Sequence, residues 1–265
     1  MLIDRDGVRL FALEAGQGDP ALVFIHGNGG DHTTWHNQIA YFSPLTKVVA
    51  PDLRGFGSSA KDPRANYSQD TYAADLVAEL EARNLRGAIL IGWSMGGALV
   101  SRVAVERPDL VSGVVLVDHN AGGAGAELGR RNSAEVVEAL RDDFDGRGLR
   151  MFIDSWFPEQ GPEIDFLKAY LYDIGRKAGR DVVYGIRSIG VKDDRSHWLR
   201  ELTQPALICQ GGASLLGGKP VADYLKTLIP HADVHVFEGK GHGLAMTAAD
   251  EFNDVLRGFW QRVKG

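Results

Sequence analysis

Apolar runs near 8–14, 21–26, 47–50, 88–91, 112–117, 205–209 and 232–237 alternate along the chain with longer segments whose apolar positions recur at helical spacing. Those segments lie around 33–43, 68–84, 96–107, 221–229 and 248–262. Short apolar runs rich in β-branched residues read as strands and the longer periodic stretches as helices. Their alternation predicts an α/β fold, a mostly parallel sheet flanked by helices on both faces. Val114-Val115-Leu116-Val117 has no polar alternation, so that strand is expected to be covered on both sides. Between about 120 and 200 the strand rhythm stops. A Gly-rich start at Gly122-Gly123-Ala124-Gly125 gives way to helix-like sequence holding Phe144, Phe152, Trp156, Phe157, Phe166, Tyr170 and Tyr172. The pattern predicts a helical cap at 121–199 inserted into a core formed by 1–120 and 200–265, with no internal repeat or low-complexity linker.

Composition narrows the function classes. With 265 residues, 44% of them hydrophobic, the chain is long enough to bury a sizeable core. A formal charge of -6 without a dense Lys/Arg run argues against nucleic acid or an anionic membrane as partner, leaving a small-molecule substrate as the expected one. Met1-Leu2-Ile3-Asp4-Arg5-Asp6 lacks the apolar core of a signal peptide, and no run approaches a membrane span, so a soluble cytoplasmic protein is expected. Cys209 is the single cysteine and lies inside the apolar run Ala206-Leu207-Ile208-Cys209, where it reads as a buried strand residue.

The chemistry concentrates where predicted strands end. Gly92-Trp93-Ser94-Met95-Gly96-Gly97 follows Ala88-Ile89-Leu90-Ile91 and precedes a helical pattern, a strand–turn–helix context that strains one serine outward from the sheet. Placed at a helix start, Ser94 lies where backbone N–H groups favour negative charge. His26-Gly27-Asn28-Gly29-Gly30 follows another strand, and the amides of Asn28 and Met95 are the candidate oxyanion hole. Gly239-Lys240-Gly241-His242-Gly243 supplies a histidine in a glycine-bounded loop, the candidate general base. A serine triad also needs an acid that ends a strand, and the stretch from Pro205 to Gly217 contains no carboxylate. Asp118, directly after Val117, is the best available acid. Two alternatives stay open: Asp118 capping its own turn, or a serine–histidine pair in which Ser214 or a water orients His242. Glu238 belongs to a strand end. Asp52 and Arg54, in Pro51-Asp52-Leu53-Arg54-Gly55-Phe56-Gly57-Ser58-Ser59, are expected to brace that loop by hydrogen bonds. The other seven of the 8 histidines read as structural or solvent-facing, and with no metal-ligand spacing among them neither a metal nor a cofactor is expected.

In this order the four motifs resemble the α/β-hydrolase superfamily. His26-Gly27 is similar to its oxyanion loop, Asp52 to Ser59 to its strand-four signature, Gly92 to Gly97 to its nucleophile elbow and Gly241-His242 to its histidine loop. The resemblance implies an eight-stranded sheet, a helical cap over the pocket and Ser94 as nucleophile. Ser214 stands where most members carry the acid. Some haloalkane dehalogenases and the cofactor-independent quinolone dioxygenases instead place it after strand six, as Asp118 would be. The dehalogenases' aspartate nucleophile is absent here. The expected function is a serine hydrolase cleaving a carboxylic ester, lactone or related acyl bond of an apolar or aromatic substrate, with Trp93, Phe152, Trp156 and Phe157 as the expected substrate-binding side chains. The alternatives are a dioxygenase using His242 and Asp118 as base, motivated in part by Trp156, and a non-catalytic ligand-binding member of the fold.

Overall fold

The computed structural model describes residues 2–129, 133–190 and 193–265. Eight strands form one sheet: β1 (Leu2–Arg5), β2 (Val8–Ala15), β3 (Leu22–Ile25), β4 (Val48–Pro51), β5 (Ala88–Trp93), β6 (Val111–Val117), β7 (Ala206–Gly211) and β8 (Asp233–Phe237), in the order β1-β2-β4-β3-β5-β6-β7-β8. The first two pairings, β1 with β2 and β2 with β4, are antiparallel; the pairings from β4 through β3, β5, β6 and β7 to β8 are parallel. Seven of the strands fall on the apolar runs of the sequence. The exception is β1, which the hydrophobic pattern does not announce because it is an edge strand alternating exposed and half-buried positions, with Leu2 54% exposed.

The central strands β3, β4, β5 and β7 are buried at every position, which is why their sequences run without polar alternation. Each fully buried Val or Leu there contributes about 1.5–3 kcal/mol relative to exposure. The sheet is covered by α1 (His36–Phe42), α2 (Gln69–Ala82), α3 (Met95–Glu106) and, after β7, α10 (Gly218–Leu228), α11 (Leu244–Thr247) and α12 (Ala249–Lys264). Between β6 and β7 the chain is helical, in α4 (Gly123–Glu127), α5 (Ser133–Asp142), α6 (Leu149–Asp154), α7 (Pro162–Ala178), α8 (Arg180–Gly190) and α9 (Ser196–Arg200). Residues 130–132 and 191–192 of the expected 121–199 insertion lie outside the described residues. No helix among the described residues is long and apolar enough to cross a membrane.

The loop after β4 is braced as its sequence predicts. Arg54 is buried and donates through Nε and Nη2 to both oxygens of Asp75 at 2.8 Å each, and through Nη1 to Asp62 at 2.6 Å. Asp52 accepts from the backbone N–H of His32 and of Ser58, each at 2.7 Å, and from His32 Nδ1 at 2.8 Å. Among the described residues Asp31, His32 and Asp52 bring potential ligand atoms within 4.8 Å of one another, a grouping that adjacent-residue spacing does not reveal across 20 positions. Their oxygens already serve the turn: Asp31 caps it by accepting from Thr33 N–H at 2.9 Å.

Candidate active site

Ser94 sits between β5 and α3 with φ 55° and ψ -112°, a left-handed conformation that a side-chain-bearing residue adopts only under constraint. The constraint is close packing around the turn. A Cβ on Gly92 would lie 2.3 Å from the carbonyl oxygen of Gly96, and one on Gly96 would lie 2.5 Å from that of Ile25 in β3. Only glycines let strand, turn and helix approach this closely. The backbone N–H of Ser94 donates to Val117 O at 2.8 Å, fixing the turn beside the end of β6.

Asp118, the next residue after β6, is fully buried with φ 44°. Its Oδ2 lies 2.6 Å from His242 Nδ1. The same oxygen accepts from Ser214 Oγ at 2.6 Å, while Oδ1 accepts from Gln210 Nε2 at 2.8 Å and from the backbone N–H of Gly211 at 2.9 Å. The carboxylate of β6 is thus surrounded by donors from β7 and its loop, where the sequence offers no carboxylate. Ser214 serves the acid as a donor behind it. Because Nδ1 faces Asp118, Nε2 is the imidazole nitrogen left for chemistry in the cavity.

Ser94, Asp118 and His242 wall a single cavity of about 100 Å³. Asn28 and Met95, the two proposed oxyanion donors, line it as well. The N–H of Met95 belongs to the first turn of α3, whose donors have no intrahelical acceptor. The side chain of Asn28 reaches away from this task, its Nδ2 donating to Val183 O of α8 at 2.9 Å. His26 is structural: Nδ1 donates to Gly27 O at 2.7 Å, Nε2 accepts from Leu53 N–H at 3.0 Å, and burial lowers its pKa. Cys209 is fully buried, and burial pushes its thiol well above the ordinary range, which disqualifies it as a thiolate nucleophile.

The expected aromatic lining needs correction. Phe152 does wall the cavity, but Trp93, Trp156 and Phe157 do not, and all three are buried. Trp93 and Trp156 pack behind the histidine instead, with ring centroids at 5.0 Å for Trp93–Trp156, 5.1 Å for Trp93–His242 and 5.7 Å for Trp156–His242, and Phe157 lies 6.5 Å from Trp156. Aromatic content alone does not say which side of a loop a ring will take. This also removes Trp156 as support for the dioxygenase alternative. The histidine loop is held from both sides: His242 N–H donates to Trp156 O at 2.7 Å, and Trp93 Nε1 donates to His242 O at 2.9 Å. Glu159, in the same 156–159 segment, accepts from Thr247 Oγ1 at 2.8 Å and from Gly241 N–H at 3.3 Å.

Several wall residues carry no motif and are missed by sequence reasoning: Tyr67, Gln69, Tyr72, His119, Ile186, Arg195 and Leu216. His119 Nδ1 donates to Ser94 O at 2.9 Å, and burial, reinforced by the charge of Arg195, pushes its pKa down to about 3. Its position immediately after Asp118 was the one signal available.

The fold, the elbow and the histidine loop define a member of the alpha/beta hydrolase family, and the model of that family matches residues 22–255; the chain belongs to it. Among known proteins it is similar to 2-hydroxymuconate semialdehyde hydrolase of Pseudomonas sp. strain CF600, 26% identical across 96% of this chain and 90% of that one. It is also similar to a non-heme chloroperoxidase of Streptomyces lividans, 29% identical over 96% of each chain. Among solved structures, a bromoperoxidase from Bacillus anthracis superposes with a TM-score of 0.86 at 25% identity, covering 96% of both chains.

Proposed function

We propose that the protein is a serine hydrolase of carboxylic esters, lactones or related acyl bonds. The observation that carries the reading is the 2.6 Å contact between His242 Nδ1 and Asp118 Oδ2 in the cavity that also holds the strained Ser94. Ser94 Oγ attacks the substrate carbonyl while His242 Nε2 takes its proton, and the amides of Asn28 and Met95 receive the negative oxygen. Collapse expels the alcohol, which leaves with the proton held by His242. Water then attacks the acyl-enzyme, again giving its proton to His242, and the acid is released with Ser94 restored. Asp118 holds one tautomer of His242 throughout and stabilises the imidazolium. The hydrolase named among the relatives supports a hydrolytic reaction; the ester or lactone class is our own reading.

Steady-state hydrolysis of short p-nitrophenyl esters by the wild type and Ser94→Ala tests it. Product accumulating beyond one equivalent per protein, and lost in the variant, is expected. Full activity in Ser94→Ala would overturn the nucleophile assignment, and a single stoichiometric release would favour a ligand-binding member of the fold.

A further inference from the structure

Two acceptors in residues of the cavity wall have no donor. His119 Nδ1 lies 2.9 Å from Ser94 O, and because a carbonyl can only accept, the proton of the neutral ring sits on Nδ1. The Cγ–Nδ1 edge of the ring rests on Gly97 of α3, where an added Cβ would come 2.7 Å from Cγ and 3.0 Å from Nδ1. Nε2, at the far end of the ring, is an acceptor without a partner among the described residues, and His119 is only 3% exposed. Burial, reinforced by the charge of Arg195, keeps the ring neutral, so Nε2 does not turn into a donor near pH 7. Asn28 repeats the pattern. Its Nδ2 donates to Val183 O at 2.9 Å, which fixes the orientation of the amide, and its buried Oδ1 has no donor among the described residues. Both residues wall the cavity that holds Ser94. A buried acceptor left without a donor costs about as much as a lost hydrogen bond, so these atoms favour a ligand that brings donors with it. Asp118, the wall carboxylate that could hold a cationic donor, is already engaged by Ser214, Gln210, Gly211 and His242. An uncharged donor is left, and in a cavity of about 100 Å³ a hydroxyl, the smallest of them, fits best.

We propose that His119 Nε2 accepts a hydrogen bond from a substrate hydroxyl close to the scissile carbonyl, so that the cavity prefers hydroxylated esters or lactones to their deoxy counterparts; this rests on the hydrolase reading above. The closeness follows from the ring, which reaches from Ser94 O to Nε2 and sets the acceptor one imidazole width from the backbone of the attacking residue. His119 is thereby a specificity-determining residue.

The test sets p-nitrophenyl butanoate against its 2-hydroxy and 3-hydroxy derivatives, with the wild type, His119→Asn and His119→Gln. Asparagine places its amide where Nδ1 lies, keeping the bond to Ser94 O while removing the distal acceptor; glutamine carries its amide oxygen out to the place of Nε2. The ratio of kcat/KM for the better hydroxy ester to that for the butanoate is expected to fall about ten-fold in His119→Asn, the size of one hydrogen bond to a buried group, and to be kept in part in His119→Gln. A purely structural His119 would instead leave the ratio unchanged in both variants, with the larger loss of Tm in His119→Gln, and that result overturns the proposal. So does a wild type that prefers neither hydroxy ester, whatever the variants do. Ligand-observed NMR titration of methyl butanoate and methyl 2-hydroxy- and 3-hydroxybutanoate into Ser94→Ala reads the acceptor without catalysis. Tighter binding of a hydroxy ester that is lost when His119→Asn is added supports it; equal affinities, or no binding of any of the three, contradict it. If the wild type turns over no ester, the hydrolase reading fails while the titration still decides whether His119 takes a hydroxyl.

Discussion

Asp118 has both carboxylate oxygens occupied, Oδ2 by Ser214 and His242, Oδ1 by Gln210 and Gly211. An acid so held fixes the ring it touches. Asp118→Asn should therefore keep the fold and KM yet lower kcat by up to about 10⁴, because the amide no longer selects the useful tautomer. A loss below ten-fold in steady-state kinetics would return Asp118 to the role of a turn-capping residue. Ser214→Ala removes one donor from the same carboxylate and leaves three contacts. A decrease in kcat of about ten- to a hundred-fold is expected from the loss of one hydrogen bond to a charged group, and a loss as large as that of Asp118→Asn would mean that Ser214 itself orients the base. That the carboxylate meeting His242 comes from the end of β6 was legible from the absence of any carboxylate after β7 and from Asp118 following β6. Arg195 and His119 were not, because burial of a polar side chain in a cavity depends on how the insertion packs and leaves no periodicity in the sequence.

At the scale of elements, the histidine loop and the 156–159 segment are built to each other. A Cβ on Gly241 would come 2.2 Å from Pro158 Cδ and 2.4 Å from Trp156 O, the carbonyl that accepts from His242 N–H. Gly241→Ala must then push the loop away from this segment. Reduced kcat together with a lower Tm is expected, since the change both overpacks a buried contact and displaces His242. Wild-type kcat in that variant would show that the 156–159 segment does not set the position of the histidine. The strands of the sheet could be read from their apolar runs because parallel strands buried on both faces have no polar positions to interrupt them. β1 escaped because an edge strand has no such requirement. The three aromatic residues misassigned to the cavity show the same limit from the other side: their burial was legible, but the partner they bury against was not.

Across the whole molecule, stability should respond to acid through the buried imidazole beside Ser94. The folded-state pKa of His119 is about 3, lowered first by burial and then by Arg195, against 6.5 when unfolded. Between these values the unfolded chain binds a proton that the folded chain refuses, so this group's contribution is present above pH 6.5 and is lost as pH falls. His32, whose pKa is raised chiefly by its bond to Asp52, acts with the opposite sign. Glu79, pushed up to about 7 by burial, also acts with the opposite sign, whereas His26, whose pKa burial lowers, acts with the same sign as His119, and His32, Glu79 and His26 are all common to the wild type and a His119 variant. The comparison therefore isolates His119: denaturant midpoints of the wild type and His119→Gln, measured from pH 7.5 to 4.5, should show the wild type losing stability relative to the variant as pH falls. Parallel curves would contradict the assignment. The central claim remains that this fold presents an activated serine. Intact mass after treatment with a fluorophosphonate, with Ser94→Ala beside the wild type, reads it directly: one covalent adduct on the wild type and none on the variant is predicted, whereas no adduct on folded wild-type protein would contradict the account.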